Sequence, residues 1–127
     1  MVTGQSLNIL AVDDETSVAH ALSLVLGSPA RKLTIAFDGE EALAIIGTHA
    51  PPFDIIITDH KMPRVSGLEL VQRLRAENFR GKIVVLSAYL TEDNRRAYAE
   101  LNVDRMLSKP FSVRELCEVI DRLTKPV

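Results

Sequence analysis

Apolar residues along this 127-residue chain fall into two alternating kinds of run. Short blocks, apolar throughout or at every second position, read as strands over 8–12 (NILAV), 32–37 (KLTIAF), 54–59 (DIIITD), 83–86 (IVVL) and 105–108 (RMLS). The stretches between and after them carry apolar residues at helical spacing. Residues 17–26 place Val18, Leu22, Val25 and Leu26 on one face. Residues 40–46, 67–76 (Leu68, Val71 and Leu74 inward) and 92–101 read the same way. A last helix is striped by Val113, Leu116, Cys117, Ile120 and Leu123. Ser28-Pro29, Asp38-Gly39, Gly47, Pro51-Pro52, Gly81 and Lys109-Pro110 punctuate the runs.

Strands that are apolar on both faces belong to a parallel sheet covered by helices. Five β–α units in strict alternation therefore predict a doubly wound five-stranded α/β domain. No linker or low-complexity segment divides the chain, so 1–127 is expected to be a single domain.

Composition narrows the function classes. The chain is 46% hydrophobic and 25% charged, as ordinary globular proteins are. A net charge of −2 makes no electrostatic case for nucleic acid. The basic residues from Arg73 to Lys82, and Arg95-Arg96, read as solvated helix faces. The single Cys117 sits on a helix stripe, reads as core and permits no internal disulfide, which fits a reducing cytoplasm. The opening MVTGQSLNIL lacks the basic and apolar regions of a secretory signal. No apolar run approaches the ~20 residues of a membrane span. A cytoplasmic protein without membrane insertion is expected.

In such sheets ligands bind beyond the carboxyl ends of the strands. Those ends carry Asp13-Asp14, Asp59, Ser87 and Lys109. Singly, each has an ordinary explanation: a strand-end Asp is usually a turn residue or helix cap, and Lys-Pro is a common exit from a strand. Together they concentrate three acids, a hydroxyl and an ammonium. Carboxylates ~4 Å apart repel by about 4 kcal/mol per pair at an effective dielectric near 20. Such a site calls for a cation or for protonated acids. Mg²⁺ suits oxygen ligands of this kind. Lys109 and Ser87 look like ligands for a phosphoryl group, and a carboxylate can itself accept one. His20, His49 and His60 show no ligand spacing, and His60 is expected only to shape the rim of the site.

Four segments carry a resemblance that covers nearly the whole chain: LAVDDE (10–15), ITDHKMPRVSGLEL (57–70), VVLSAY (84–89) and LSKPF (107–111). In this order at these strand ends, they resemble a response-regulator receiver domain of two-component signalling. A chemotaxis member of that family is a known case of the flavodoxin-like strand order 2-1-3-4-5, and the resemblance implies that order here. It implies that Asp59 is the phosphoacceptor, Asp14 a direct Mg²⁺ ligand and Asp13 the acid acting on the metal's waters. Lys61 would give the metal a backbone carbonyl. Ser87 would be the hydroxyl that moves to the phosphoryl group and Lys109 its ion-pair partner. Pro110 matches a cis-proline that aims Lys109 inward.

The implied function is a phosphorylation-activated switch rather than an enzyme with a turned-over substrate. A sensor histidine kinase or a phosphotransfer protein would be the donor. The surface built by the helix over 92–101, the strand over 105–108 and the last helix would control an unidentified partner or output domain. The chain would be a monomer or a phosphorylation-dependent dimer, either stand-alone or part of a longer regulator. One position departs from the pattern: three residues before Lys109 the family usually has an aromatic, and here it is Met106. The side chains flanking water's approach in the family correspond to Lys61 and Tyr89, whose bulk implies a slowly decaying aspartyl phosphate. Ala88 leaves the entrance open to small donors.

Three rival readings are weaker. An aspartyl-phosphate phosphohydrolase needs a second Asp two residues after the nucleophile, where this chain has Lys61, and a cap domain for which it is too short. A receiver that only binds partners would not need every acid, hydroxyl and ammonium of the site. A flavin-binding protein of the same fold would need a phosphate-cradling loop after the first strand.

Overall fold

The computed structural model describes residues 7–15, 20, 22–23, 31–48, 52–62, 64–88 and 90–124. Five strands form one sheet: β1 (Leu7–Val12), β2 (Arg31–Ala36), β3 (Ile55–Asp59), β4 (Lys82–Ser87) and β5 (Arg105–Ser108). All neighbours are parallel, in the order β2-β1-β3-β4-β5. The helices are α1 (Gly39–Thr48), α2 (Gly67–Ala76), α3 (Glu92–Glu100) and α4 (Val113–Thr124). The helix expected over 17–26 lies mostly outside the described residues; within it His20, Leu22 and Ser23 are helical.

The unbroken apolar runs are divided by the pleat. Leu10, Val12, Ile56, Ile83 and Val85 face one core with Leu70, Val71, Leu74 and Tyr98. Ile9, Ala11, Ile55, Ile57, Val84 and Leu86 face the other with Leu116, Val119, Ile120 and Leu22. Successive strand residues point to opposite faces, so only a run apolar at every position fills both layers. Each Val, Leu or Ile among them, fully buried, contributes roughly 1.5–3 kcal/mol.

Local chemistry sets the helix ends. Ser66 Oγ accepts from the Glu69 N–H at 3.2 Å and starts α2. Thr91 Oγ1 accepts from the Asn94 N–H at 3.1 Å and starts α3. Ser112 and Glu115 form a reciprocal capping box ahead of α4, with contacts of 3.0 and 3.1 Å.

Several expectations shift. Helix α1 runs through Gly47 to Thr48, because a helical hydrogen bond needs no Cβ and one glycine only weakens a helix. On α2 Val71 and Leu74 are buried and the half-buried Leu68 packs against the same core, as expected, and Leu70 joins them fully buried. Arg75 does not sit on a solvated face. Its guanidinium donates to the carbonyls of Leu101 (2.7 Å), Phe79 (3.0 Å) and Asn102 (2.8 Å), tying the end of α2 to the loop after α3. Three orphan carbonyls in one place suit the planar fork of an arginine.

Candidate functional site

The register of the sheet brings the carboxyl ends of β1, β3, β4 and β5 to one edge. Val12 pairs with Thr58, Asp59 with Leu86 and Ser87 with Ser108. The residues just past these pairs are therefore neighbours. Asp13, Asp14 and Asp59 each offer a carboxylate oxygen, and these oxygens lie within 4.8 Å of one another. Asp13 is 1% exposed and Asp59 7%, whereas Asp14 is exposed. Ser87 is buried beside them.

Lys109 enters from the end of β5. Its Nζ stands 3.4 Å from Asp13 Oδ2, 3.4 Å from Asp59 Oδ1 and 3.9 Å from Glu15 Oε1. Its main-chain N–H donates to Ser87 O at 2.7 Å, which fixes the ammonium-bearing residue to the hydroxyl-bearing one. The Lys109–Pro110 peptide is cis, as the resemblance implies, and Pro110 is exposed.

Burial, and then the Asp13 carboxylate, push the Asp59 pKa above the ordinary carboxylate range; Lys109 and the His60 N–H only partly offset them. Burial alone would lower the Lys109 pKa, but Asp59 and Asp13 outweigh it and raise the pKa. The site therefore carries an excess of negative charge that one lysine leaves incompletely compensated. An all-oxygen donor set with two buried carboxylates and one exposed one fits a hard divalent cation such as Mg²⁺.

The turn after β3 explains the glycine that follows the acid. A Cβ at Gly67 would overlap the Asp59 carbonyl oxygen and stand 2.9 Å from His60 Cα. The Gly67 N–H donates to His60 O at 2.8 Å. Only glycine lets α2 begin so close to the end of β3.

The open cleft around these groups, ≈ 980 Å³, is also lined by Lys61 and Ala88, both exposed, and by His60 and Asn94. Met106 is half-buried on β5 and packs against the core that includes Tyr98. Tyr89, expected to flank water's approach, lies outside the described residues, as does Pro63.

One set of contacts was not anticipated from the sequence. The His60 ring is more than a rim feature. Its Nδ1 is 2.6 Å from Tyr98 Oη and its Nε2 3.3 Å from Asn94 Nδ2. Burial lowers the His60 pKa. Burial, and then the Asp59 charge, raise that of Tyr98, whose phenol stays protonated. A polar residue one helical turn before a buried tyrosine, at 94 and 98, was the available signal.

Comparisons with known proteins agree with this geometry. A family model described as "Response regulator receiver domain" matches residues 9–121. The response regulator MprA of Mycobacterium bovis is 36% identical over 124 residues, covering 95% of this chain and 53% of that protein. The regulatory protein TcrX of Mycobacterium tuberculosis is 33% identical over 113 residues, covering 89% and 47%. The chain thus spans about half the length of these curated relatives. Among solved structures, the receiver domain of the Francisella response regulator 1452 superposes with a TM-score of 0.84 at 31% identity, covering 93% of this chain and 96% of that one. A response regulator receiver protein from Pseudomonas putida superposes with a TM-score of 0.86 at 29% identity, covering 95% and 99%.

Proposed function

This chain belongs to the response-regulator receiver family of two-component systems, and on that premise we propose that it is a switch set by phosphorylation of Asp59. The observation that carries the reading is the meeting of Asp13, Asp14 and Asp59 within 4.8 Å under an ammonium 3.4 Å from two of them. A structural ion pair needs one acid per base. Here Asp13, Asp14 and Asp59 gather beside the Ser87 hydroxyl and the Lys109 ammonium, an inventory for a cation and a phosphoryl group together.

The chemistry follows from the groups present. An Asp59 oxygen attacks the phosphorus of a donor phosphohistidine; the P–O bond forms as the P–N bond breaks, and the imidazole leaves, taking its proton from the medium. Lys109 stands where it can pair with the transferred oxygens, and Ser87 is the neighbouring hydroxyl. Asp13, Asp14, Asp59 and the Lys61 main-chain carbonyl would hold Mg²⁺, which would neutralise the negative charge gathered at the site. Transfer replaces one carboxylate charge by a group of roughly −1.5 to −2. Ser87 and Lys109 would be drawn toward it, and with them β5 and the faces of α3 and α4.

The donor class is a sensor histidine kinase or a phosphotransfer protein, and the output is a partner or a domain elsewhere in a longer protein. The chain acts on its own acceptor rather than turning over a separate substrate. We assign residues 1–127 to one receiver domain working in the cytoplasm, as a monomer or a phosphorylation-dependent dimer. Among the described residues no helix is long and apolar enough to cross a membrane.

Acetyl phosphate with Mg²⁺ tests the assignment through intact mass and peptide mapping. One phosphoryl group on Asp59, absent without Mg²⁺, is expected. Full modification of Asp59→Asn at another residue would sink it.

A further inference from the structure

Residue 60 is bonded to both sides of the switch. Its main-chain N–H donates to Asp59 Oδ1 at 2.9 Å and to Leu86 O at 3.0 Å. Its main-chain oxygen accepts from the Gly67 N–H at 2.8 Å. The ring, in turn, is held by α3 at both nitrogens, through Tyr98 and Asn94. It also meets the Tyr98 ring edge-on, with centroids 5.5 Å apart at 74°. Asn94 and Tyr98 are four residues apart and share one face of α3.

Tyr98 is 0% exposed and lies in the core that also takes Met106. Its hydroxyl has no solvent to turn to. If the imidazole moves, either α3 follows or a buried hydroxyl loses its partner, and burial makes the second outcome costly. The thioether at position 106 supplies no ring and no hydroxyl for such a contact.

We propose that His60 is a positioning residue for the acceptor, clasped by Tyr98 and Asn94, and that this clasp carries the state of Asp59 to helix α3. The proposal rests on Asp59 being the acceptor. Modification changes the charge and orientation of the carboxylate that the His60 N–H meets. The main chain of residue 60 is pinned to β4 and to the start of α2, so the change is passed through the ring to α3.

Amide hydrogen exchange with and without beryllofluoride and Mg²⁺ tests it, on wild type, Tyr98→Phe and Asn94→Ala. In wild type, modification is expected to change the protection of the 92–100 amides by about fivefold or more, the low end of coupling between sites. In both variants that change is expected to fall below about twofold, while the amide signals of Asp14, Asp59 and Ser87 still shift. A merely structural loss would lower protection equally in both states and leave the difference intact. Asn94→Ala touches only a half-buried side chain and keeps the test sound if Tyr98→Phe folds poorly. Full retention of the wild-type difference in either variant overturns the clasp, as does a modified wild type with an unchanged α3. A wild type that takes no beryllofluoride at Asp59 overturns the acceptor reading instead, and the clasp with it.

Discussion

Lys109 Nζ stands 3.4 Å from Asp59 Oδ1 and holds the charge at the end of β3 against the end of β5. The same ammonium is 3.4 Å from Asp13 Oδ2, and the Asp13 side chain is 1% exposed. Lys109→Ala would leave two desolvated carboxylates facing each other. The expected cost without a divalent ion at neutral pH is about 1–3 kcal/mol. Denaturant melts read this directly, and a variant as stable as wild type would show that the lysine carries no structural charge balance. The variant should still accept some phosphoryl group from acetyl phosphate, but without the amide shifts along 105–108 that accompany modification in wild type. Equal shifts in both proteins would remove Lys109 from the coupling.

Asp59 supplies a pH test with a definite sign. Its folded pKa is raised, first by burial and then by Asp13, so the fold carries its ionised form at a cost. Below the ordinary carboxylate pKa of about 4 the group is protonated in both folded and unfolded chains, and the cost is absent. The cost grows as pH rises through the raised folded value and is complete above it. Metal-free Asp59→Asn should therefore melt a few degrees above wild type at neutral pH. The gap should close toward about pH 4. A lower melting temperature for the Asn variant at neutral pH would mean that Lys109 already overcompensates the acid.

Asp14 separates the metal from the fold. It is the exposed acid of the cluster, and no salt bridge involves it among the described residues. Removing it should not harm the apo protein. Mg²⁺ at about a hundred times its dissociation constant should stabilise wild type by about 2.7 kcal/mol. Asp14→Ala should lose most of that gain while its metal-free melting temperature stays level or rises. An unchanged Mg²⁺ response would place the cation elsewhere.

The architecture was legible because a parallel sheet buried on both faces demands apolar residues at every position of its central strands. Ile55, Ile56 and Ile57 announce this in three letters. The site was legible because the fold delivers whatever follows those runs to one edge, so Asp13, Asp59, Ser87 and Lys109 could be brought together without coordinates. Contacts set by the third dimension alone stayed hidden. Arg75 satisfies carbonyls of a loop that no sequence spacing links to it. His60 and Tyr98 are 38 residues apart, and nothing in a helical or strand period relates them. The resemblance singles out position 106, where Met106 stands, whereas the polar link from the turn after β3 to α3 runs through position 98.

Met106 should therefore matter more to the output face than to chemistry. It packs against the core from the edge strand β5 without lining the acidic cleft. Met106→Ala should cost roughly 1–2 kcal/mol, below the range for a fully buried methionine because the site is only half-buried. Met106→Tyr tests whether an aromatic is tolerated there. Both variants should take phosphoryl groups from acetyl phosphate at close to the wild-type rate, and both should alter partner binding. A large loss of phosphorylation in both would return Met106 to the reaction itself.

The lifetime of the phosphorylated state depends on access of water to the phosphorus, in line and opposite the Asp59 oxygen. Lys61 and Ala88 are exposed and line the cleft at that mouth. A long ammonium chain can pair with phosphoryl oxygens and crowd the approach. Tyr89, next to Ala88 in the chain, is the second side chain that the resemblance implies at the water path. Ala88, a methyl at the mouth of the cleft, leaves room for a small phosphodonor without supplying a group that orients water. The phosphoryl group should accordingly persist. Replacing both side chains, in Lys61→Asn with Tyr89→Glu, removes the cation and introduces a carboxylate able to hold a water molecule. Loss of phosphate from purified phosphoprotein in Mg²⁺ should be about tenfold faster in the double variant, equivalent to about 1.4 kcal/mol of barrier. A double variant that decays no faster than wild type would mean that the two side chains stand clear of the water path.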